Sequence, residues 1–126
     1  MSLFSELNAQ GSVLRAALRG TATRNEIIVN NIVNADVPGF RAREVEFEEH
    51  LQEMIGTFPL NRSIDLENFS PTVRFRNPGF HYRTDGNSVD IDVEMVSLYQ
   101  NSMRFDTIVS SVMVNSERMR TVLQGQ

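Results

Sequence analysis

Alternate steps of three and four residues along the last third of the chain pick out Met95, Leu98, Ser102, Phe105, Val109, Val112, Ser116, Met119 and Leu123, and seven of these nine are apolar. A seam with this 3.5-residue period, kept for about four repeats, belongs to an amphipathic helix that packs on another helix, and at 1.5 Å per residue it runs roughly 45–50 Å. The seam predicts a helix over about 92–123, with Gly125 just past its end, where a stop is expected. Asp92 is the candidate N-cap, and Glu94 in the first turn favours the helix dipole.

A helix of that length needs a partner, and the start of the chain offers one. Leu3, Leu7, Leu14, Ala17 or Leu18, Thr21, Ile28 and Ile32 form a second, weaker seam, with Gly11 and Gly20 lowering local helix propensity. This helix must stop near Asn34, because Pro38-Gly39 follows and the residue before a proline is pushed out of the helical region. Burying one large apolar side chain is worth about 1.5–3 kcal/mol against a whole-domain stability of about 5–15 kcal/mol, so two exposed apolar stripes are untenable. The stripes meet each other or another subunit. The assembly residues this implies are Leu7, Leu14, Leu18, Ile28, Ile32, Met95, Leu98, Phe105, Val109, Val112, Met119 and Leu123. The polar positions Thr21, Asn25, Ser102 and Ser116 either fix helix register, as polar seam residues do in coiled coils, or face solvent.

Between the helices, Thr72-Val73-Arg74-Phe75-Arg76 and Phe80-His81-Tyr82-Arg83 alternate in polarity around an Asn77-Pro78-Gly79 turn, which reads as a hairpin. Residues 44–53 are acidic and fit a short helix or a solvated loop; residues 56–71 show no period. The expected fold is mainly α: long N- and C-terminal helices forming a coiled-coil-like core, with a small, mobile loop and β-hairpin region between them. The chain divides into a first helix with its Asn-rich turn (1–40), a variable region (41–91) and the heptad helix (92–126).

Composition removes several functions. The 126 residues are 40% hydrophobic and 22% charged, too apolar for wholesale disorder. A net charge of −4 argues against a nucleic-acid partner, which favours a basic face. With no Cys there is neither disulfide nor thiolate metal site. Residues 1–18 interrupt their leucines with Glu6, Asn8, Gln10 and Arg15, so they form neither a signal core nor a membrane span. His50 and His81 have no His or Cys at ligand spacing, and no Gly-x-Ser-x-Gly elbow is present. Glu44, Glu46, Glu48 and Glu49 read as a solvated face rather than an acid–base pair. No cofactor, metal or small-molecule substrate is expected, and no enzyme.

Two strings remain. Asn30-Asn31-Ile32-Val33-Asn34-Ala35-Asp36-Val37-Pro38-Gly39-Phe40 closes the first helix; its asparagines are able to bond exposed carbonyls and Pro-Gly forces a turn, which by itself makes an elaborate helix stop. Asp85-Gly86-Asn87-Ser88-Val89-Asp90-Ile91-Asp92-Val93-Glu94-Met95 opens with a turn signal and then alternates apolar and acidic residues; the EF-hand spacing fails, so turn formation and capping are favoured over calcium.

The first string resembles the Asn-Asn-Ile-Ala-Asn-x-x-Thr-Pro-Gly-Tyr pattern of the flagellar rod, hook and hook-associated family, departing at Val33, Val37 and Phe40. The second resembles the Asp-Gly-Asn-x-Val-Asp-Met-Asp-x-Glu stretch of its short proximal-rod members. The motif residues carried over are Asn30, Asn31, Asn34, Pro38, Gly39, Phe40, Asp85, Gly86, Asn87, Val89, Asp90 and Asp92. The resemblance implies a subunit exported by the flagellar type III apparatus without a cleaved signal. It then polymerises in the periplasm into the torque-transmitting proximal rod, with copies of itself, other rod proteins, a small rod adaptor and the membrane-ring protein as partners. A free-standing helical adaptor or export chaperone, holding a partner helix in a groove, is the alternative that the seams alone allow.

Overall fold

The computed structural model describes residues 3–56, 66, 68–77 and 84–125. Its elements are α1 (Leu3–Val33), β1 (Arg43–Glu46), α2 (Glu48–Gly56), β2 (Thr72–Phe75) and α3 (Ile91–Gln124). The fold is mainly α, with two long terminal helices and a small antiparallel sheet between them in sequence.

The terminal helices pair as an antiparallel hairpin. Asn115 Nδ2 donates to the Leu7 carbonyl at 3.2 Å, Asn101 Nδ2 to that of Thr21 at 2.8 Å, and Asn31 Nδ2 to Glu94 at 3.3 Å, so positions rise along α1 as they fall along α3. α3 begins one residue before the expected start and is capped by Asp90, not Asp92. Asp90 is extended (φ −105°, ψ 109°), and its Oδ1 accepts from the amides of Asp92 at 3.0 Å and Val93 at 3.3 Å, a reach only the residue before the first turn has. At the other end Gly125 closes the helix through its N–H to Thr121 O at 3.0 Å.

The second face of α1 packs on the middle region. Ala16 is buried with Val45, Phe47, Leu51, Leu66 and Phe69, and Val13, Ala17 and Ile27 border the cluster. The main apolar core therefore lies between α1 and the middle segment, not in the helix–helix seam. The acidic run of residues 44–53 resolves into strand and helix: Glu48 and Glu49 sit in the first turn of α2, where carboxylates suit the dipole. Arg24 lies 4.6 Å over the Phe47 ring and bonds Val45 O and Glu48, and this hydrogen bond is what chiefly holds the Glu48 carboxyl below the usual carboxylate range.

Gly20 is required for close approach. A Cβ there would stand 2.5–2.7 Å from three Phe47 ring atoms. Gly20→Ala is expected to lower stability by about 1–3 kcal/mol through overpacking, outweighing the helix-propensity gain of about 1 kcal/mol. An unchanged denaturant midpoint would mean that Phe47 slips aside at no cost.

β2 forms where alternation predicted it, but its partner is β1, with Arg43 opposite Phe75, Glu44 opposite Arg74, Val45 opposite Val73 and Glu46 opposite Thr72. Arg74 pairs with both Glu44 and Glu46 across the ladder. The other arm of the expected hairpin, Phe80 to Arg83, lies outside the described residues, as does His81. Among the described residues no helix is long and apolar enough to cross a membrane, and no cluster of three or more His, Asp or Glu side chains is placed to hold a metal.

Candidate assembly interface and its intrachain lock

The two sequence strings, distant in the chain, meet at one end of the hairpin. Asn87 is fully buried, and its Nδ2 donates to the carbonyls of Asn34 (3.0 Å), Ala35 (2.8 Å) and Val37 (2.8 Å), in the turn that follows the end of α1. Its Oδ1 accepts from Val89 N at 2.8 Å, and its own N–H bonds Asp85 Oδ1 at 3.0 Å in an Asx-type turn. Gly39 N–H reaches Asp85 O at 3.0 Å, Ser88 N–H reaches Phe40 O at 3.1 Å, and Ser88 Oγ accepts from Ala42 N at 2.8 Å. Gly39 (φ +72°) and Gly86 (φ +81°) both take left-handed conformations where the two turns touch, and a Cβ on Gly86 would lie 3.7 Å from the Gly39 Cα. Ala35, Ala42 and Val89 seal the joint under Phe40. Pro38 is exposed in the turn.

Asn31 carries the lock onto the sheet. Its Oδ1 accepts from Arg43 N at 3.0 Å while its Nδ2 donates to Arg43 O at 2.8 Å, so the side-chain amide mimics a backbone bridge. Asn30 Oδ1 accepts from Arg43 Nη2 at 2.8 Å, and Asn34 Nδ2 folds back on Asn30 O at 2.7 Å. Glu94, 0% exposed, receives Asn31 on one oxygen and Arg76 on the other; Arg76 also reaches Glu44 at 3.7 Å and donates its N–H to Ala42 O at 2.8 Å. Sequence reasoning gave Glu94 only a dipole role and did not single out Arg43, Arg76 or Ser88. A carboxylate is buried only when paired in this way.

Along the seam, Leu7 and Ile28 are buried in α1, and Leu14, Leu18 and Ile32 are half-buried. On α3, Leu98, Phe105, Val109, Val112 and Met119 are half-buried, whereas Met95 and Leu123 are 51% and 60% exposed. The row that alternates with Leu98, Phe105, Val112 and Met119 and faces α1 is Glu94, Asn101, Ile108, Asn115 and Val122, one residue back from Met95, Ser102, Val109, Ser116 and Leu123. Thr21 is buried in the seam with its hydroxyl on Ala17 O and Leu18 O, while Asn25, Ser102 and Ser116 face solvent. The polar row was detectable: Glu94, Asn101 and Asn115 repeat at multiples of seven. It was passed over because an apolar row lay beside it.

Residues two apart on a helix point about 200° apart, so Val96, Tyr99, Met103 and Met113 stand nearly opposite this polar row. All four are exposed, Tyr99 at 69%. Beside them a shallow groove is lined by Phe47, Leu51 and Ile55 together with Met103 and Ile108, with Glu48 and Arg104 at its edge. α3 thus carries a row of exposed apolar side chains with no intrachain cover among the described residues.

The chain matches no protein-family model. It is 34% identical to the flagellar basal body rod protein FlgB of Yersinia ruckeri, over 86% of this chain and 88% of the relative. To the protein of that name in Bacillus subtilis it is 30% identical over 99% and 98% of the two chains, and to that in Escherichia coli K12 27% over 98% and 99%.

Proposed function

The chain belongs to the family of the flagellar basal body rod protein FlgB, and from that premise we propose that this structural component of the basal-body rod polymerises through its terminal helices into the torque-transmitting shaft. The observation that carries the reading is the row of exposed apolar side chains of α3 at Val96, Tyr99, Met103 and Met113, on the side opposite its inward row. A stripe on one side of a subunit that fits a groove elsewhere on its neighbour makes a heterologous contact, which propagates as a helical filament instead of closing a dimer.

In this reading the chain has three tasks. Residues 1–40 and 92–126 supply the assembling hairpin, and residues 41–91 brace it. Leu98, Phe105, Val112 and Met119 serve both the partner within the chain and the neighbouring subunit, whereas Met95, Val109 and Leu123 serve the neighbour. The motif residues act one step earlier, by fixing the shape of the end from which both helices emerge. The neighbours are copies of this chain, other rod proteins, the small rod adaptor and the membrane-ring protein. The site is the periplasmic rod, reached through the flagellar type III apparatus without a cleaved signal. No step calls for catalysis, a cofactor or a small-molecule substrate.

The test is Tyr99→Glu combined with Met103→Glu. Both side chains are exposed, so the purified variant should melt within about 2 °C of the parent, as surface changes usually do. In cells relying on the variant, basal bodies should stop short of a rod and swimming should be lost. Normal rods and normal swimming would remove α3's outer face from the assembly.

A further inference from the structure

Among the described residues two buried side-chain polar atoms lack any hydrogen-bond partner, the Oδ1 atoms of Asn101 and Asn115. Both belong to the polar row that α3 turns towards α1, two heptads apart, and their amide nitrogens donate to the carbonyls of Thr21 and Leu7, also two heptads apart. Those carbonyls lie inside the hydrogen-bond ladder of α1, so the added bonds fill no open acceptor. Asn101 is 2% exposed, and the amide of Asn115 rests over Gly11, where a Cβ would come within 3.2 Å of Nδ2. The seam is shaped around two amides that it only half satisfies. Leucine or isoleucine at these positions would close the hairpin more firmly, because polar seam residues lower stability in exchange for specificity.

Burial along the hairpin is graded in the same sense. At the locked end Ile28, Asn31, Asn87, Val89 and Glu94 are buried, whereas among the described residues α3 has no buried residue after Asn101 and α1 only Leu7 before Ala16. Few buried contacts in the distal half place its opening at the low end of local stability.

We propose that Asn101 and Asn115 are release rungs: they keep the distal half of the α1–α3 hairpin separable, so that it opens reversibly about the locked end and frees the shared row of Leu98, Phe105, Val112 and Met119 for a neighbouring subunit's helix. The opening is a property of the single chain; its use in assembly rests on the rod reading.

Hydrogen exchange on the dilute full-length chain tests the first part. Amides of residues 3–14 and 108–123 should exchange faster than those of residues 28–35 and 87–98. Asn101→Leu with Asn115→Leu should slow distal exchange by about tenfold or more, the factor carried by a single buried unpaired acceptor, and leave the locked end unchanged. Asn101→Ala with Asn115→Ala removes the same oxygens without adding apolar bulk, and covers the case in which the leucine pair associates. Its distal exchange should be no faster than the parent's. Faster exchange in the alanine pair, or unchanged exchange in a folded leucine pair, would make the asparagines ordinary staples and overturn the proposal. Swimming tests the second part: the leucine pair should swim worse than the parent. Normal swimming with a demonstrably closed hairpin would sever release from assembly and leave the rod reading intact, since that reading falls only with the Tyr99 and Met103 test.

Discussion

Asn87→Ala should destabilise the protein by roughly 3–5 kcal/mol, because each buried polar group left without its partner costs about 1–3 kcal/mol. Four groups lose the amide at once: the N–H of Val89 and the carbonyl of Ala35 lose their bonds to it, and the carbonyls of Asn34 and Val37 are left with only the N–H groups of Val37 and Phe40. The joint is sealed by Ala35, Ala42, Val89 and Phe40, so water has no easy route to replace the amide. In a chain of this size the loss corresponds to a fall in Tm on the order of 10 °C or more. Asn87→Asp is the sharper comparison. It keeps an acceptor for Val89 but aims a carboxylate oxygen at carbonyl oxygens, so it should be at least as damaging as alanine. A Tm within about 2 °C of the parent for either variant would show that the lock does not hold the two strings together.

Glu94→Ala is the second large effect, expected at about 3–5 kcal/mol, the usual result of removing one partner from a buried pair. Arg76 would keep Glu44 at 3.7 Å and some solvent, so part of its charge is re-satisfied, but Asn31 would lose its contact to α3 and a cavity would open between α1, the sheet and α3. The double substitution with Arg76→Ala separates the pair from the cavity. If the two groups are coupled as the geometry has it, the double variant should be less destabilised than the sum of the singles. Additive losses would mean that Glu94 is held by packing alone.

How far the chain explains itself differs from element to element. Both long helices were legible because a 3.5-residue seam survives about four repeats and only a helix keeps such a period. Their ends were legible where turn chemistry marks them, at Asn34 before Pro38-Gly39 and at Gly125. The cap of α3 lies two residues before the expected one because Asp90 and Asp92 are both good caps by composition, and the extended backbone and accepted amides at Asp90 separate them. The strand at Thr72–Phe75 was legible from its alternation. Its pairing with Arg43–Glu46 was not, because strand partners are set by long-range contacts and a four-residue run has no private code for its neighbour.

Gly11 and Gly20 read as weak points of a helix. Their use appears only when Asn115 and Phe47 arrive from elsewhere in the chain. The motif residues were found by resemblance, and turn chemistry anticipated that the asparagines bond open carbonyls. That Asn87 supplies this bond from 50 residues downstream, to Val37 among others, is a tertiary fact.

Periodicity and turn chemistry are local in the chain, so the sequence by itself determined that two long amphipathic helices frame the molecule and where they stop. The face that each helix turns inward is a competition between neighbouring rows for one partner, and only the tertiary structure decided it. Glu94, Asn101 and Asn115 take the inward position, where Asn31 and the α1 carbonyls hydrogen-bond them, and the turn of about 50° that exchanging one of the two seam rows imposes on α3 leaves Met95 outside for a neighbour.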